Sequence, residues 1–187
     1  MLAVGLESAD MEDKDRYFKI RETGPLSFGD WARLVGNDEA PFGPLHAELE
    51  FRARDHHVVA YDSAGRIAGA VGATVVGFEV DSYRRFDAVG FGGLIVRKDL
   101  RGSGLSNSLI VSLMQLGRRL GPPLGILLSA PEMVHFYVKA GAVEIKSPVW
   151  AQQGGKLCEL GVAALWVSYV PSVVWPEGPV KVNGLPF

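Results

Sequence analysis

The chain has 187 residues, 48% of them hydrophobic and 21% charged, which gives enough material for one core. It is read as a single domain over residues 1–187, neither disordered nor fibrous in composition. A formal net charge of -2 leaves no broad basic field for nucleic acid or an anionic membrane, and no apolar run approaches the roughly 20 residues that cross a bilayer. Cys158 is the single cysteine and can close no internal disulfide, and the opening stretch is too acidic for a signal peptide, so a cytoplasmic location is expected.

Residues 15–20 alternate as a first strand. Gly24 and Pro25 break it before Ser27, an N-cap for a short helix over 28–34. Pro41 and Pro44 interrupt again, and Leu45, Leu49 and Phe51 place a second short helix over 45–54. Residues 57–61, the turn Asp62-Ser63-Ala64-Gly65 and residues 66–80 read as a hairpin, followed by a third β arm over 86–96. The period then becomes helical: Leu105, Leu109, Ile110, Leu113, Met114 and Leu120 recur on one face until Gly121-Pro122-Pro123 stops them. A buried strand over 124–128, a helix over 131–140 with Pro131 in its first turn, and strands over 142–149 and 157–169 complete the predicted elements. The tail over 171–187, rich in proline and glycine, reads as a C-terminal extension, either ordered or a flap.

The chemistry concentrates where the third β arm gives way to the long helix. Arg101, Gly102, Ser103, Gly104, Leu105 and Ser106 form a strand-to-helix loop in which glycines allow backbone N–H groups close to an anion and the helix N-terminus adds partial positive charge. Taken alone, the same glycines fit a plain tight turn equally well, and both readings stay open at this level. The loop lacks the G-x-x-x-x-G-K-[ST] pattern, and Asn107 stands where G-x-G-x-x-G requires its last glycine, so ATP and NAD are poor guests.

In combination, the Arg101-x-x-Gly104-x-Ser106 loop, the amphipathic helix, the apolar strand and the run Phe136-Tyr137-Val138-Lys139-Ala140-Gly141 resemble the GCN5-related N-acetyltransferase (GNAT) superfamily, over roughly residues 16–169. The resemblance implies an α/β (α+β) fold with a mixed, largely antiparallel sheet flanked by helices on both faces. It implies acetyl-CoA as co-substrate and direct transfer of acetyl to the primary amine of a small molecule. On that reading the loop from Arg101 to Ser106 holds the pyrophosphate of the coenzyme, backbone groups of Leu94, Ile95 and Val96 pair with pantetheine and the acetyl carbonyl, Ser129 adds a contact, and Tyr137 protonates the departing thiolate. Similarity to aminoglycoside 2'-N-acetyltransferases, and to rhizobial nodulation N-acyltransferases through Val96 to Leu100 and the Trp175-Pro176-Glu177-Gly178 tail, implies an amino sugar or aminoglycoside-like acceptor and a homodimer built on the last strand and tail.

Several positions depart from the family pattern. Ser106 stands where Gly or Ala is usual, Ala130 replaces a frequent asparagine, and Ala142 follows Gly141 in place of an aromatic. Gly92 and Gly93 occupy the strand where many members carry a glutamate base, so the base is not assigned by match. Asp87, Glu132 and Glu159, with Glu79, are the acidic residues expected near an amine, each also accounted for as a surface charge. His56 and His57 fall on opposite faces of a strand and His46 is distant in sequence, so no metal site is expected; His135 is assigned to surface or packing and Cys158 to a small buried hydrophobe. Two further readings keep the loop: an acyltransferase using a longer thioester, and a catalytically silent acyl-CoA-binding domain.

Overall fold

The computed structural model describes residues 18–36 and 48–187. The parts of the expected elements that fall on residues 15–17 and 45–47, the breaks at Pro41 and Pro44, and His46 lie outside them.

Strand β1 is Lys19–Thr23, later than the expected 15–20, and pairs antiparallel with β2, His56–Tyr61. Between them Ser27 caps helix α1, Phe28–Val35, by accepting a hydrogen bond from the Asp30 N–H at 3.1 Å, as its residue type anticipates. The expected helix over 45–54 is not formed over residues 48–54. That stretch is bound to the tail instead, with the Arg52 N–H donating to the Pro186 carbonyl at 2.8 Å and the Arg52 side chain donating to the carbonyls of Leu185 and Asn183.

The hairpin from β2 to β3, Ile67–Val80, turns where expected: Asp62 Oδ1 accepts from the N–H groups of Ala64 and Arg66, and Gly65 takes a positive φ of 73°. β3 pairs along one edge with β4, Arg84–Val96. Its other edge is shared by β2 over Ile67 to Ala73 and, further along, by β10, Val180–Val182. Helix α2, Leu105–Arg119, buries Leu105, Leu109, Leu113 and Leu116, a recurrence at four- and three-residue steps that keeps one face on the sheet, and ends with Arg118 and Arg119 against the negative pole of its dipole.

β5, Leu124–Ser129, is buried at every residue and lies parallel to β4. After it come a 3-10 turn, Pro131–Met133, and helix α3, Val134–Lys139, in place of one continuous helix over 131–140. Four short strands replace the two expected longer ones: β6 Val143–Ile145, β7 Val149–Gln153, β8 Lys156–Glu159 and β9 Ala163–Ser168. Pro148 separates the first pair and Gly161, at φ 62°, separates β8 from β9. The ten strands form one sheet, ordered β6-β9-β5-β4-β3-β10-β7-β8 with β2 and β1 to the side of β3, and every pairing is antiparallel except β4 with β5 and β10 with β7.

α1 covers one face of the sheet, packing Leu34 with Val59, Ala70 and Ile95, while α2 covers the other with Val58, Val71, Phe91 and Leu127. The sheet is therefore mixed and largely antiparallel with helices on both faces. The tail is part of the core rather than an appendage. Trp175 and Phe187 are buried against Phe78, and β10 joins β3 to β7. Cys158 is free and half-buried on β8, less buried than expected.

Candidate active site

Beyond one short stretch, β4 and β5 part company. Their ladder covers only Val89 to Phe91 against Gly125 to Leu127, so from Gly92 onward β4 has no partner on that edge. At the same place β4 carries a bulge: between the Gly72–Gly92 and Ala70–Ile95 pairs, Val71 faces two residues, Gly93 and Leu94, with Gly93 at φ 65°. The separation opens a cavity of about 320 Å³, walled by Gly92, Gly93 and Leu94 of β4, by Leu113 and Met114 of α2, and by Ser129 and Tyr137 across from them. A strand whose polar backbone groups are left without a ladder, beside an apolar slot, is an invitation to an extended ligand carrying amide groups.

The loop that joins β4 to α2 is built to meet negative charge. Gly102 and Gly104 adopt φ of 81° and 83°, and Gly104 is the N-cap of α2 without any side-chain cap. Among the described residues, the N–H groups of Gly102, Gly104, Leu105 and Ser106 have no acceptor, while that of Asn107 is taken by the Gly104 carbonyl at 3.0 Å. The Ser103 hydroxyl is buried without a partner among them. The Arg101 side chain is exposed and donates from Nε to the Val96 carbonyl at 3.3 Å, which ties the loop to the end of β4. A helix of 15 residues with open N-terminal donors offers an anion both hydrogen bonds and a favourable dipole.

Tyr137 is the titratable group most enclosed by the slot. Desolvation pushes its phenol above the usual range, so it stays protonated at neutral pH. Leu94 lines the cavity, whereas the Ile95 side chain is buried on the opposite face and Val96 packs beside α2. Leu105 belongs to the core, and Ser129 is buried with its hydroxyl donating to the Ala130 carbonyl at 3.1 Å. Of the four acidic residues, Glu132 stands at the cavity wall, and Glu79, away from it, is paired with Arg85 at 3.0 Å. Asp87 is exposed near Pro122 and Pro123 in a separate depression, and Glu159 is exposed on β8, paired with Trp150. Neither borders the slot, because the strand ends that carry them belong to other parts of the sheet. His135 is exposed, and no cluster of metal-binding side chains occurs among the described residues.

No family model matches the chain and no curated protein matches it in sequence. Solved structures do match. A GNAT family N-acetyltransferase from Escherichia coli, YhbS, solved in complex with CoA, superposes with a TM-score of 0.58 at 19% identity, over 91% of this chain and 95% of that one. A putative N-acetyltransferase from Lactobacillus plantarum gives 0.56 at 16% identity, over 82% and 99%. A GNAT family acetyltransferase from Brucella melitensis, in complex with acetyl-CoA, gives 0.50 at 16% identity, over 88% and 94%. The chain has the GNAT fold.

On this GNAT fold two residues not singled out from the sequence stand behind the separation of β4 and β5. The register places His57, Gly72 and Gly92 in one row across β2, β3 and β4, so they share a face. The Arg54 side chain lies over both glycines: a Cβ at Gly72 would clash with its Cδ, and one at Gly92 would clash with its Nη2 and come within 2.9 Å of its Nε. His57 is 3% exposed and sits edge-on to Trp31, with Nδ1 3.1 Å from the Gly24 carbonyl. That contact assigns the ring proton to Nδ1 and leaves Nε2 facing Gly72, 3.0 Å from where a Cβ would be. Burial, and to a smaller degree the nearby Arg54 charge, lowers the His57 pKa and keeps it neutral. The sequence did hold one signal for this arrangement: glycines inside a strand mark places where another group comes close.

Proposed function

We propose that the chain is an N-acetyltransferase that moves acetyl from acetyl-CoA directly to the primary amine of a small molecule. The observation that carries this reading is the presence of two features on one strand–loop–helix unit: a helix-end loop with four N–H donors that find no acceptor among the described residues, and an apolar slot between β4 and the middle of α2 bordered by an unpaired strand edge. A diphosphate satisfies the first and the amide-bearing pantetheine arm the second, so the residues present fit acetyl-CoA. Gly102, Gly104, Leu105 and Ser106 would hold the diphosphate, with Leu94 to Val96 along the arm and Ser129 at the far wall. The fold likeness to proteins solved with CoA and acetyl-CoA supports the same assignment.

In the reaction the neutral amine nitrogen forms a bond to the acetyl carbon and releases one proton to solvent water. The carbon–sulfur bond breaks, and the sulfur leaves with a proton from Tyr137, whose phenol is reprotonated from solvent. Backbone N–H groups at the bulge, where Gly93 and Leu94 oppose one residue of β3, are the donors available to the carbonyl oxygen as negative charge grows on it. Tyr137 supplies the proton to sulfur. Its raised pKa holds the proton in place until charge appears, and the same apolar walls raise the basicity of the thiolate. No acyl-enzyme is required. The acceptor class implied by the sequence resemblance is an amino sugar or aminoglycoside-like amine, and of the acidic residues expected near it Glu132 is the one that lines the cavity.

A spectrophotometric screen of aminoglycosides, polyamines and amino acids for release of free coenzyme A tests the proposal. Amine-dependent thiol release above hydrolysis is expected. Tight acetyl-CoA binding with no release for any amine would replace the enzyme by a silent binding domain, and release only with longer thioesters would replace acetyl by a longer acyl group.

A further inference from the structure

Arg54 is a cation without a visible reason. It is largely buried, and among the described residues no carboxylate pairs with it; its one aromatic contact is with Phe51, whose ring centre lies 6.0 Å from the guanidinium carbon. Its Nε is fully enclosed and donates to nothing. No hydrogen bond from the two terminal nitrogens is found among the described residues, and neither counts among the enclosed, unsatisfied atoms as Nε does. Desolvation by burial pulls its pKa down to about 10. Leaving a buried charge unpaired is costly, and an arginine contributing nothing there would be served better by an apolar side chain.

Its position supplies the reason. Nη2 rests against Gly92 and Nη1 is 3.2 Å from where a Gly93 Cβ would be, so the guanidinium stands on the α1 face immediately behind the two glycines that border the slot. The slot itself lies on the α2 face. Because β4 and β5 are unpaired here and neither glycine has a side chain, the gap between the strands is the route from one face to the other. A carboxylate oxygen of Phe187, the last residue of this chain, borders the same space 2.9 Å from where a Gly92 Cβ would be, and is the one charged group beside Arg54 among the described residues, without forming an ion pair with it. The surroundings are otherwise apolar or neutral: Trp31, Phe51 and the uncharged ring of His57.

We propose that Arg54 is the anchor of an acceptor subsite for a carboxylate, so that the amine acylated by this chain belongs to an amino acid, or to an amino sugar or other small amine that also carries a carboxylate. The inference rests on the acyltransferase reading above and names its substrate class. A planar guanidinium with free terminal nitrogens takes a carboxylate in a fixed geometry, which would hold the amine on the α1 side of the gap, facing the thioester across Gly92 and Gly93.

The test compares acids with their carboxamides: glycine with glycinamide, β-alanine with its amide, and glucosaminic acid with its amide. Each is assayed by coenzyme A release with the wild-type protein and with Arg54→Met. The ratio of kcat/KM for acid over amide is expected to fall by about 10-fold or more in the variant, the scale of one charge-assisted hydrogen bond. Taking the change in the ratio cancels intrinsic differences in amine reactivity. Because Arg54 has no ion pair among the described residues, Arg54→Met is expected to unfold at the same or a higher temperature and to bind acetyl-CoA as the wild type does. An unchanged ratio with intact acetyl-CoA binding overturns the subsite and leaves the acyltransferase standing. Failure of the wild type to bind acetyl-CoA defeats the acyltransferase reading instead. If acetyl-CoA binds but no amine is turned over, the melting temperature decides: the acids must raise that of the wild type above their amides and fail to do so in Arg54→Met, and equal effects overturn the subsite.

Discussion

Replacing Tyr137 by phenylalanine removes one oxygen from the slot and nothing else. That hydroxyl makes no hydrogen bond among the described residues, so its loss costs the fold no interaction, and unfolding free energy should stay within about 0.5 kcal/mol of wild type. Acetyl-CoA affinity should hardly change, since the proton matters only when charge appears on sulfur. The rate should fall by about 100-fold at pH 7, or roughly 2.7 kcal/mol of barrier, the usual contribution of a general acid. The size of the effect should depend on pH in a defined direction. A thiol whose pKa the slot raises above the ordinary value of about 8.5 needs a proton to leave at pH 7 and less so as pH climbs toward that raised value, so the ratio of wild-type to variant kcat should shrink as pH rises above about 8.5. Any change in amine protonation is common to both proteins and cancels. Single-turnover release of thiol, followed with a disulfide reagent after rapid mixing, measures the step. A variant within about threefold of wild type at pH 7, or a ratio independent of pH, would remove Tyr137 from the proton transfer.

Two further predictions concern the frame that holds the site. The Tyr169 hydroxyl is buried without a partner among the described residues, in a notch between Gly117 of α2 and Gly125 of β5, where a Cβ on Gly117 would clash with the hydroxyl and stand 2.7 Å from Cζ. Gly117→Ala should therefore destabilise by about 1–3 kcal/mol despite the better helix propensity of alanine, while Tyr169→Phe should be neutral or stabilising, and the double variant should recover part of the loss; urea unfolding that ranks the single variants the other way refutes the packing. His57 is buried neutral with a lowered pKa, so the unfolded chain takes up its proton first: the stability it confers is full above about pH 6.5 and is lost as pH falls toward the folded value. Arg54, His56 and Trp31 are the groups around it, and His57→Gln should flatten the loss of stability between pH 7.5 and pH 5; an unchanged pH dependence shows that the ring is not the group responsible.

Local rules were enough for the elements that decide their own structure. The leucine recurrence of α2, the Ser27 cap and the Asp62 turn are set by residues close in sequence, and each forms where its pattern stands. The segment over 48–54 carries apolar residues at helical spacing, yet its backbone is claimed by Pro186 and the Arg52 side chain by Leu185 and Asn183, partners no local window contains. Likewise Val180–Val182 is too short to show a period, and becomes a strand because β3 and β7 both leave an edge for it. The loop from Arg101 to Ser106 was legible because glycine spacing and a helix start are local facts. Arg54 was not, since its setting is created by Gly72 and Gly92 on two other strands, and Asp87 and Glu159 were placed near the amine on strand-end reasoning that the register does not support.

The most direct test of the account is a calorimetric titration of the wild-type protein with acetyl-CoA and, separately, with S-acetylpantetheine, which keeps the thioester and amide arm but lacks the diphosphate. The open donors at the start of α2 predict one saturable site for acetyl-CoA, with affinity about 100-fold or more above that for the truncated thioester, the scale of two charge-assisted hydrogen bonds. Equal affinities, or no saturable binding of acetyl-CoA, would contradict it.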